Sequence, residues 1–418
     1  MTDSSLGATA PTSLIPASRG RVGDHPIFVL HAEATRRAAA GESIVNATLG
    51  ALTTDEGTLA VLPSVLEAFA DAQARGAAGY APISGRPEFR RAVIDSLFAE
   101  TPLADRAVAV ATPGGTGAIY QAMVNFLEPG QRLLTTQYFW GPYRDISMHS
   151  GRGIDTFALF SADGGFDTAA LAEGMERHAA EQGRVFLVMN FPCHNPTGYS
   201  LSPEEWDEVA TVVRRVGARV PVTVLIDAAY LHYAGDGRDA WVPAAEAMLE
   251  AATVLVAWTA SKAFTQYGSR TGALVALHRD DAERTQIANA LGYTSRATWS
   301  NCSHVGQIAV TRLLTDPDLA TRCDTERQAL TDTLQQRIDV FKREATAAGL
   351  DFPRYDAGFF VAVFTPDAAT TARVMREAGV YTVPIDGAVR VGLCCTPAAD
   401  VPRLVEALVE GVAAVPAA

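Results

Sequence analysis

The stretch Val254-Leu-Val-Ala-Trp-Thr-Ala-Ser-Lys262-Ala-Phe-Thr-Gln-Tyr-Gly-Ser-Arg270-Thr-Gly272 combines an apolar run with two isolated basic residues. The apolar run predicts a buried strand, and a polar loop carrying Lys262 is expected to follow it. A lysine beside buried apolar surface loses its proton more easily, and the neutral amine can attack an aldehyde to form a Schiff base. Arg270 is a permanently charged fork near two glycines, which suits a phosphate. A strand with an ordinary solvated loop explains this stretch about equally well.

Composition limits the class of protein. The chain has 418 residues, of which 48% are hydrophobic and 19% are charged, and these values predict a globular protein of two domains. A net charge of -13 without a Lys/Arg-rich run argues against a nucleic-acid partner. Because no apolar stretch reaches the roughly 18 residues of a membrane span, we expect no membrane partner.

The amino-terminal segment and the cysteines bear on localisation. Residues 1–19 are rich in Ser, Thr, Ala and Pro, and they predict a flexible leader rather than a signal peptide. The five cysteines include no C-x-x-C pair, and nearby histidines show no recognisable metal spacing. We therefore expect reduced thiols, no metal site and a cytoplasmic protein.

Predicted strands and helices alternate over residues 107–277. This alternation predicts an α/β fold with a mainly parallel sheet and helices on both of its faces. Ligands of such sheets bind beyond the carboxyl ends of the strands. The features that follow predicted strands are the turn Gly114-Gly-Thr-Gly-Ala118, Trp140, Asn195 and Asp227.

Two of these features have alternative explanations. The glycine turn before a predicted helix offers free N–H groups to an anion, but a tight turn without a ligand is about as good an explanation. It matches neither the P-loop nor the full dinucleotide fingerprint, so nucleotide binding is weakly supported. Asp227 ends an apolar strand, where an unpaired carboxylate is costly. It therefore suggests a cationic partner, although a capping role would also explain it.

The carboxyl-terminal part is predicted to form a smaller domain. Residues 324–347 predict a long helix whose apolar face is formed by Leu330, Leu334, Ile338, Phe341 and Ala345. Strands are predicted over 358–364 and 388–393, and the second carries Arg390 as either a surface residue or a carboxylate clamp. The predicted organisation is a leader over 1–19, a small domain from 20–60 and 325–418, and a large domain over 61–324.

Taken in order, the motifs resemble those of class I, fold-type I pyridoxal-phosphate aminotransferases, and most closely the aspartate and aromatic aminotransferase branch. The resemblance covers about residues 45–393. The residues that carry it are Gly114-Gly-Thr-Gly-Ala118, Trp140, Asn195-Pro-Thr-Gly198, Asp227-Ala-Ala-Tyr230, Ser261-Lys262, Arg270 and Arg390. It implies transfer of the amino group of a dicarboxylic or aromatic L-amino acid to a 2-oxo acid such as 2-oxoglutarate, by a ping-pong mechanism on pyridoxal 5'-phosphate.

The resemblance also implies roles for individual residues. Lys262 would hold the cofactor as a Schiff base and move the proton as general base and acid. Asp227 would keep the pyridine nitrogen protonated, and Tyr230 with Asn195 would hydrogen-bond the phenolic oxygen of the ring. The remaining implied cofactor contacts are Trp140 on the ring face, Gly115, Thr116, Thr259 and Arg270 at the phosphate, and Tyr80 from the neighbouring subunit of a homodimer.

The implied substrate contacts include two arginines. Arg390 would bind the α-carboxylate, and Arg296 would bind a side-chain carboxylate across the dimer interface. Gly50, Trp140, Asn195 and Phe360 complete the predicted substrate contacts. Because aromatic-type members of the family keep such a second arginine, the preferred amino acid stays open.

Three positions depart from the family pattern. Tyr143 and Asn190 stand where histidines commonly support the cofactor's aspartate, so we expect Asp227 to lack its usual surroundings. Trp299 replaces a tyrosine and predicts a bulkier pocket beside Arg296.

A lyase or decarboxylase with the same cofactor stays open as an alternative function, because a sequence does not show which substrate bond is held perpendicular to the ring. After the aminotransferase and the lyase or decarboxylase, the third hypothesis is a protein that binds the cofactor without catalysing a reaction.

Overall fold

The computed structural model describes residues 13–19, 21, 23, 26–99 and 101–415. Most of the predicted leader lies outside these ranges, and within its described part Pro16–Ser18 form a short 3-10 turn. Among the described helices, none combines the length and the apolar character needed to cross a membrane.

The described strands form a seven-stranded sheet, a three-stranded sheet and a two-stranded pair. In chain order they are β1 (Val45–Asn46), β2 (Ala107–Pro113), β3 (Arg132–Thr136), β4 (Gly153–Phe157), β5 (Val185–Met189), β6 (Val222–Asp227), β7 (Thr253–Thr259), β8 (Thr271–Leu277), β9 (Phe360–Phe364), β10 (Val380–Tyr381), β11 (Val383–Ile385) and β12 (Ala388–Gly392).

The helices of the described chain cover the large sheet and build the rest of the molecule. In chain order they are α1 (Pro26–Ala39), α2 (Pro63–Ala74), α3 (Pro87–Phe98), α4 (Gly114–Phe126), α5 (Pro142–His149), α6 (Thr168–Gln182), α7 (Pro203–Gly217), α8 (Val242–Met248), α9 (Ala260–Ala263), α10 (Asp281–Thr298), α11 (His304–Thr315), α12 (Pro317–Ala347), α13 (Ala368–Glu377) and α14 (Val401–Ala413).

The large sheet brings several strand ends to one edge. Its order is β2-β8-β7-β6-β5-β3-β4, and neighbouring strands are parallel except where β8 pairs with β2 and β7. The amino end of β8 therefore meets the carboxyl ends of the other strands. This arrangement confirms the predicted α/β fold with a mainly parallel sheet.

Local sequence explains where two helices begin. Helix α7 starts with a capping box, in which the Ser202 hydroxyl accepts the Glu205 N–H and the Glu205 carboxylate accepts the Ser202 N–H. Helix α12 begins at Pro317, earlier than the predicted start at residue 324. The reason is that the Asp316 side chain accepts the Leu319 N–H at 3.2 Å, so the helix is capped before its apolar periodicity becomes clear.

A second hydrophobic core joins both ends of the described chain. It includes Val45 of β1, much of β9 and β12, α14, and the predicted apolar face of α12. β1 pairs with β10 in parallel, and β12 lies between β9 and β11 in the antiparallel sheet. We propose that this core is the small domain predicted from residues 20–60 and 325–418. Tyr230, which follows β6, also belongs to it, so this core packs against the carboxyl edge of the large sheet.

Candidate active site

A cavity opens at the carboxyl edge of the large sheet, where ligands of mainly parallel sheets bind. Predicted cofactor residues dominate its lining, and Tyr80 is the one that it lacks. The lining residues are Gly115, Thr116, Ile119, Trp140, Asn190, Asn195, Asp227, Ala229, Tyr230, Thr259, Ser261, Lys262 and Arg270.

Lys262 lies on the one-turn helix α9 and not on the loop expected from the sequence. The turn forms because the Thr259 hydroxyl at the end of β7 accepts the Ser261 N–H at 3.1 Å. The Lys262 ammonium lies 5.7 Å from the ring centre of Tyr230 and 5.4 Å from that of Tyr267. Burial lowers the pKa of Lys262, while the nearby Asp227 carboxylate acts in the opposite direction.

Asp227 ends β6 and is only 4% exposed. The Tyr143 hydroxyl donates to its Oδ2 at 2.6 Å, and the Asn190 amide donates to its backbone carbonyl at 3.0 Å. Burial raises the pKa of Asp227, whereas the hydrogen bonds from Tyr143 and the Ala229 N–H, and the charge of Lys262, act to lower it. Asp227 lacks the histidines that the resemblance implied, and Tyr143 and Asn190 contact it in their place, one at the carboxylate and the other at the backbone carbonyl.

Asn190 also orients the next residue of the cavity. Its side-chain oxygen accepts the backbone N–H of Asn195 at 2.8 Å, which fixes the turn after β5. The Asn195 amide in turn donates to the Tyr230 hydroxyl at 3.4 Å. Two neutral donors thus converge on one side of the cavity, where they can stabilise a ring oxygen in its ionised form.

The start of α4 and the Arg270 side chain form an anion-binding part of the cavity, here called the oxyanion cradle. Helix α4 begins there at Gly114 without a side-chain cap, so its first N–H groups are free, and the helix dipole favours negative charge. Gly114 has a φ of +70°, and a Cβ at this position would overlap Nη2 of Arg270. Arg270 reaches the cradle because it immediately precedes antiparallel β8, and its Nη1 donates to the Ser261 hydroxyl at 3.0 Å.

The small core supplies a buried cation beside the cavity. Arg390 on β12 is 7% exposed, its Nη2 donates to the Thr48 carbonyl at 2.5 Å, and its guanidinium lies 4.3 Å from the ring centre of Phe360. Its Nε has no hydrogen-bond partner among the described residues. A Cβ at Gly50 would lie 2.8 Å from the Phe360 ring, so a glycine is needed for this close packing. Phe360 contacts the cavity through Tyr230, with ring centres 6.0 Å apart.

Two predicted residues lie away from the cavity of their own chain. Tyr80 is 91% exposed. Arg296, near the end of α10, is also exposed, and its Nη1 donates to the Ser300 hydroxyl at 2.6 Å. Trp299 packs edge-on against Tyr120, with ring centres 6.3 Å apart. Neither Tyr80 nor Arg296 belongs to the lining of the cavity.

Sequence reasoning left two contributors without a role. Ser261 accepts hydrogen bonds from both the Thr259 hydroxyl and Arg270, so it links the end of β7 to the oxyanion cradle. The Tyr267 hydroxyl accepts the Leu52 N–H at 2.9 Å and thereby connects the Lys262 region to the small core. Both residues are polar positions within the stretch around Lys262, and this was the signal available in the sequence.

The side chains of the cavity fit pyridoxal phosphate. The amine needed for an aldehyde is Lys262, and the carboxylate needed for a pyridinium nitrogen is Asp227. The α4 terminus with Arg270 suits a phosphate, and the half-buried Trp140 offers an aromatic face. In the described ranges no group of three or more His, Cys, Asp and Glu side chains is placed to hold a metal ion.

Comparison with known proteins gives one family. The model of the family described as aminotransferase class I and II matches residues 42–408. The chain is 32% identical over 347 residues to the aromatic-amino-acid aminotransferase of Paracoccus denitrificans, covering 79% of this chain and 83% of that protein.

Solved structures agree with this result. The crystal structure of an aminotransferase from Anaerococcus prevotii matches with a TM-score of 0.90 and 31% identity, covering 96% of this chain and all of that one. An aromatic-amino-acid aminotransferase from Burkholderia pseudomallei, covalently bound to pyridoxal phosphate, matches with a TM-score of 0.79 and 23% identity, covering 96% and 100% of the two chains. At that identity the second likeness concerns the fold.

Proposed function

Because the chain belongs to the aminotransferase class I and II family, we propose that Lys262, Asp227 and Arg390 carry its amino acid transamination. The chain is a pyridoxal-phosphate-dependent aminotransferase, and its substrates are an amino acid and a 2-oxo acid. The observation that carries the assignment of residues is the convergence of Lys262, Asp227 and the oxyanion cradle in one cavity. The lyase and decarboxylase alternative is not favoured, since the relatives named above are aminotransferases.

When bound, pyridoxal phosphate supplies an aldehyde that takes up the amino group and a ring that accepts the electrons released at the substrate Cα. Lys262 would act as the base that removes the Cα proton and as the acid that returns it on the cofactor side. Its depressed pKa favours the neutral amine that this step needs. Asp227 would hold the proton of the ring nitrogen, and Trp140 would cover a face of the ring.

Arg390 is the proposed site of the substrate α-carboxylate. Its guanidinium is already fixed by the Thr48 carbonyl and the Phe360 ring, and its buried Nε has no hydrogen-bond partner among the described residues. A fixed guanidinium loses little conformational freedom on binding and can offer two parallel N–H groups.

Replacement of Arg390 by lysine is expected to raise the KM for the amino acid by about 10- to 100-fold, because an ammonium retains the charge but loses the fork geometry. Steady-state kinetics at saturating 2-oxo acid measures this change, and the cofactor spectrum should stay as in the wild type. Arg403→Lys is the matched control, since Arg403 binds backbone carbonyls on the surface. If the KM of Arg390→Lys stayed within twofold of the wild type, Arg390 would not be the residue that binds the substrate α-carboxylate.

We also propose a cytoplasmic homodimer whose active sites lie at the interface. Tyr80 and Arg296 are exposed, and large apolar side chains around Tyr80 in sequence are exposed as well, a pattern typical of interfaces. These apolar residues are Leu59, Val61, Leu66 and Ile83. The five cysteines, Cys193, Cys302, Cys323, Cys394 and Cys395, are free thiols, which supports a reducing compartment.

Arg296 from one subunit is proposed to bind the side-chain carboxylate of a dicarboxylic substrate in the other subunit. Arg296→Ala is then expected to lower kcat/KM for glutamate and aspartate by about 10- to 100-fold, and for phenylalanine by less than about threefold. The ratio of the two efficiencies is the measurement. An equal loss for both substrate types would contradict the proposed role.

The placement of Arg296 in trans has its own test. A dimer with one Lys262→Ala subunit and one Arg296→Ala subunit contains one site with both Lys262 and the partner's arginine intact. Co-expression of the two variants should therefore restore activity toward glutamate. Without such complementation, Arg296 does not act across an interface.

The half-reaction tests the proposed function as a whole. The absorbance spectrum of the holoenzyme is recorded before and after addition of glutamate, aspartate, alanine, phenylalanine, tyrosine or tryptophan, without any 2-oxo acid. The band of the lysine-bound cofactor should disappear, fastest with a dicarboxylic or aromatic amino acid. A band that no amino acid changes would overturn the proposed function for this set of substrates.

A further inference from the structure

A buried tyrosine lies behind the cofactor cavity and does not line it. Tyr143, in the first turn of α5, is fully buried, and its hydroxyl donates to Oδ2 of Asp227 at 2.6 Å. Its ring stacks on Phe139 with an interplanar angle of 9° and meets Trp140 edge-on, with ring centres 5.6 Å apart. The side chain is thus held in place between the aromatic loop after β3 and the end of β6.

We propose that Tyr143 is a positioning residue of the reaction, which holds the Asp227 carboxylate ionised and fixed in orientation for the cofactor's ring nitrogen. The inference rests on the role proposed above for Asp227. A buried carboxylate is costly unless donors satisfy it, and the Tyr143 hydroxyl and the Ala229 N–H are the donors that act on Asp227. The phenol therefore supplies a donor to Asp227 at the position where the resemblance implied a histidine.

The phenol of Tyr143 differs from a histidine in how its hydrogen bond to Asp227 responds to pH. Burial and the neighbouring Asp227 charge raise the pKa of Tyr143 well above its ordinary value, so the hydroxyl keeps its proton throughout the neutral range. The hydrogen bond to Asp227 consequently does not titrate where the enzyme works. A free imidazole, in contrast, titrates near pH 6.5.

The charged and titratable neighbours leave this bond undisturbed. Apart from Asp227, Tyr230 is the titratable group that acts electrostatically on Tyr143. On β4, which packs against α5, Asp155 is engaged by Arg132 at 3.0 Å and by His178 at 3.2 Å. On α4 the titratable side chain is Tyr120, which packs against Trp299.

Tyr143→Phe removes one O–H and keeps the ring. We expect kcat/KM to fall by about 10- to 100-fold, because a hydrogen bond to a charged group is lost. Since that bond lowers the pKa of Asp227, its loss raises this pKa. As the pH falls, the Asp227 carboxylate is then protonated at a higher pH than in the wild type. The acid limb of the kcat/KM profile therefore shifts to higher pH. The pH at which the absorbance of the bound cofactor changes should also rise. The reason is that a less protonated ring withdraws less electron density from the Schiff base nitrogen, which then holds its proton to higher pH.

Two further variants separate positioning from stability. Tyr143→His restores a donor and should recover most of the lost activity and return the acid limb toward the wild type. Tyr381→Phe is the matched control, because Tyr381 is a buried phenol on β10 that donates to Glu33 at 2.9 Å. It should alter thermal stability only, with the pH profile and the cofactor spectrum unchanged.

A Tyr143→Phe enzyme with wild-type kcat/KM, acid limb and cofactor titration would overturn the inference. So would a Tyr143→Phe enzyme that changes only in thermal stability, as the control does, or a Tyr143→His enzyme without recovery. The wild-type half-reaction distinguishes these failures from failure of the proposed function. A wild type that transaminates beside an unaffected Tyr143→Phe variant contradicts the positioning role alone.

Discussion

Replacement of Lys262 by alanine is expected to lower kcat by about 10⁴-fold or more. A positioned general acid–base contributes roughly 10²–10⁴-fold, and this variant also loses the covalent attachment of the cofactor. The cavity offers no substitute, because the structure places Tyr230 and Tyr267 rings beside the lysine and both hydroxyls stay protonated, their pKa values being raised by burial. Slow turnover is best measured by accumulation of the 2-oxo acid over hours.

The chain offers an unusually clean control for this variant. Its sequence contains a second lysine, Lys342, and no third. Lys342 lies on the surface of α12 and pairs with Asp356 at 2.9 Å. Lys342→Ala should keep wild-type kcat. If Lys262→Ala retained activity within about tenfold of the wild type, Lys262 would not be the acid–base group.

Replacement of Asp227 by asparagine is expected to lower kcat by about 10²–10⁴-fold. The amide keeps the size of the side chain but removes the charge that holds a proton on the ring nitrogen, and breaking a buried charge pair costs about 3–5 kcal/mol. Because asparagine can still accept the Tyr143 hydrogen bond, the fold should be preserved. The measurement is the maximal rate constant of the amino acid half-reaction, determined by stopped-flow absorbance.

Asp155→Asn serves as the control for Asp227→Asn. Asp155 is a partly buried carboxylate on β4 that pairs with Arg132 and His178, away from the cavity. Its replacement should reduce stability with little change in kcat. Comparable rates in Asp227→Asn and Asp155→Asn enzymes would show that the charge of Asp227 has no special part in the chemistry.

The positions of most cavity residues were predictable because these residues lie at or shortly after the carboxyl end of a strand. Asp227 ends β6 and Asn195 lies in the turn after β5, and parallel strands bring their carboxyl ends to one edge. Lys262 needed one further local effect, the Thr259 cap that turns the expected loop into a helical turn. Arg270 reaches the same edge only because β8 runs antiparallel, a direction that strand patterns alone do not fix.

Other features depend on contacts that sequence patterns do not encode. The support of Asp227 by Tyr143 arises from packing between α5 and the end of β6, which are separated by more than 80 residues. The family pattern suggested that the substitution removes support, whereas the geometry replaces it with a neutral donor. Tyr80 and Arg296 are exposed on their own chain, so their proposed roles depend on an assembly that one chain does not display.

The attachment of the cofactor to Lys262 can be measured directly. Sodium borohydride reduces a Schiff base between a lysine and the cofactor to a stable secondary amine, and mass spectrometry of the digested protein then locates the label. With Lys262 and Lys342 as the only lysines, the candidates are these two residues and the amino terminus. We predict stoichiometric labelling of the peptide that contains Lys262 and none of the peptide that contains Lys342. A label on Lys342 or the amino terminus, or an unlabelled Lys262 in a holoenzyme that transaminates, would contradict the proposed active site.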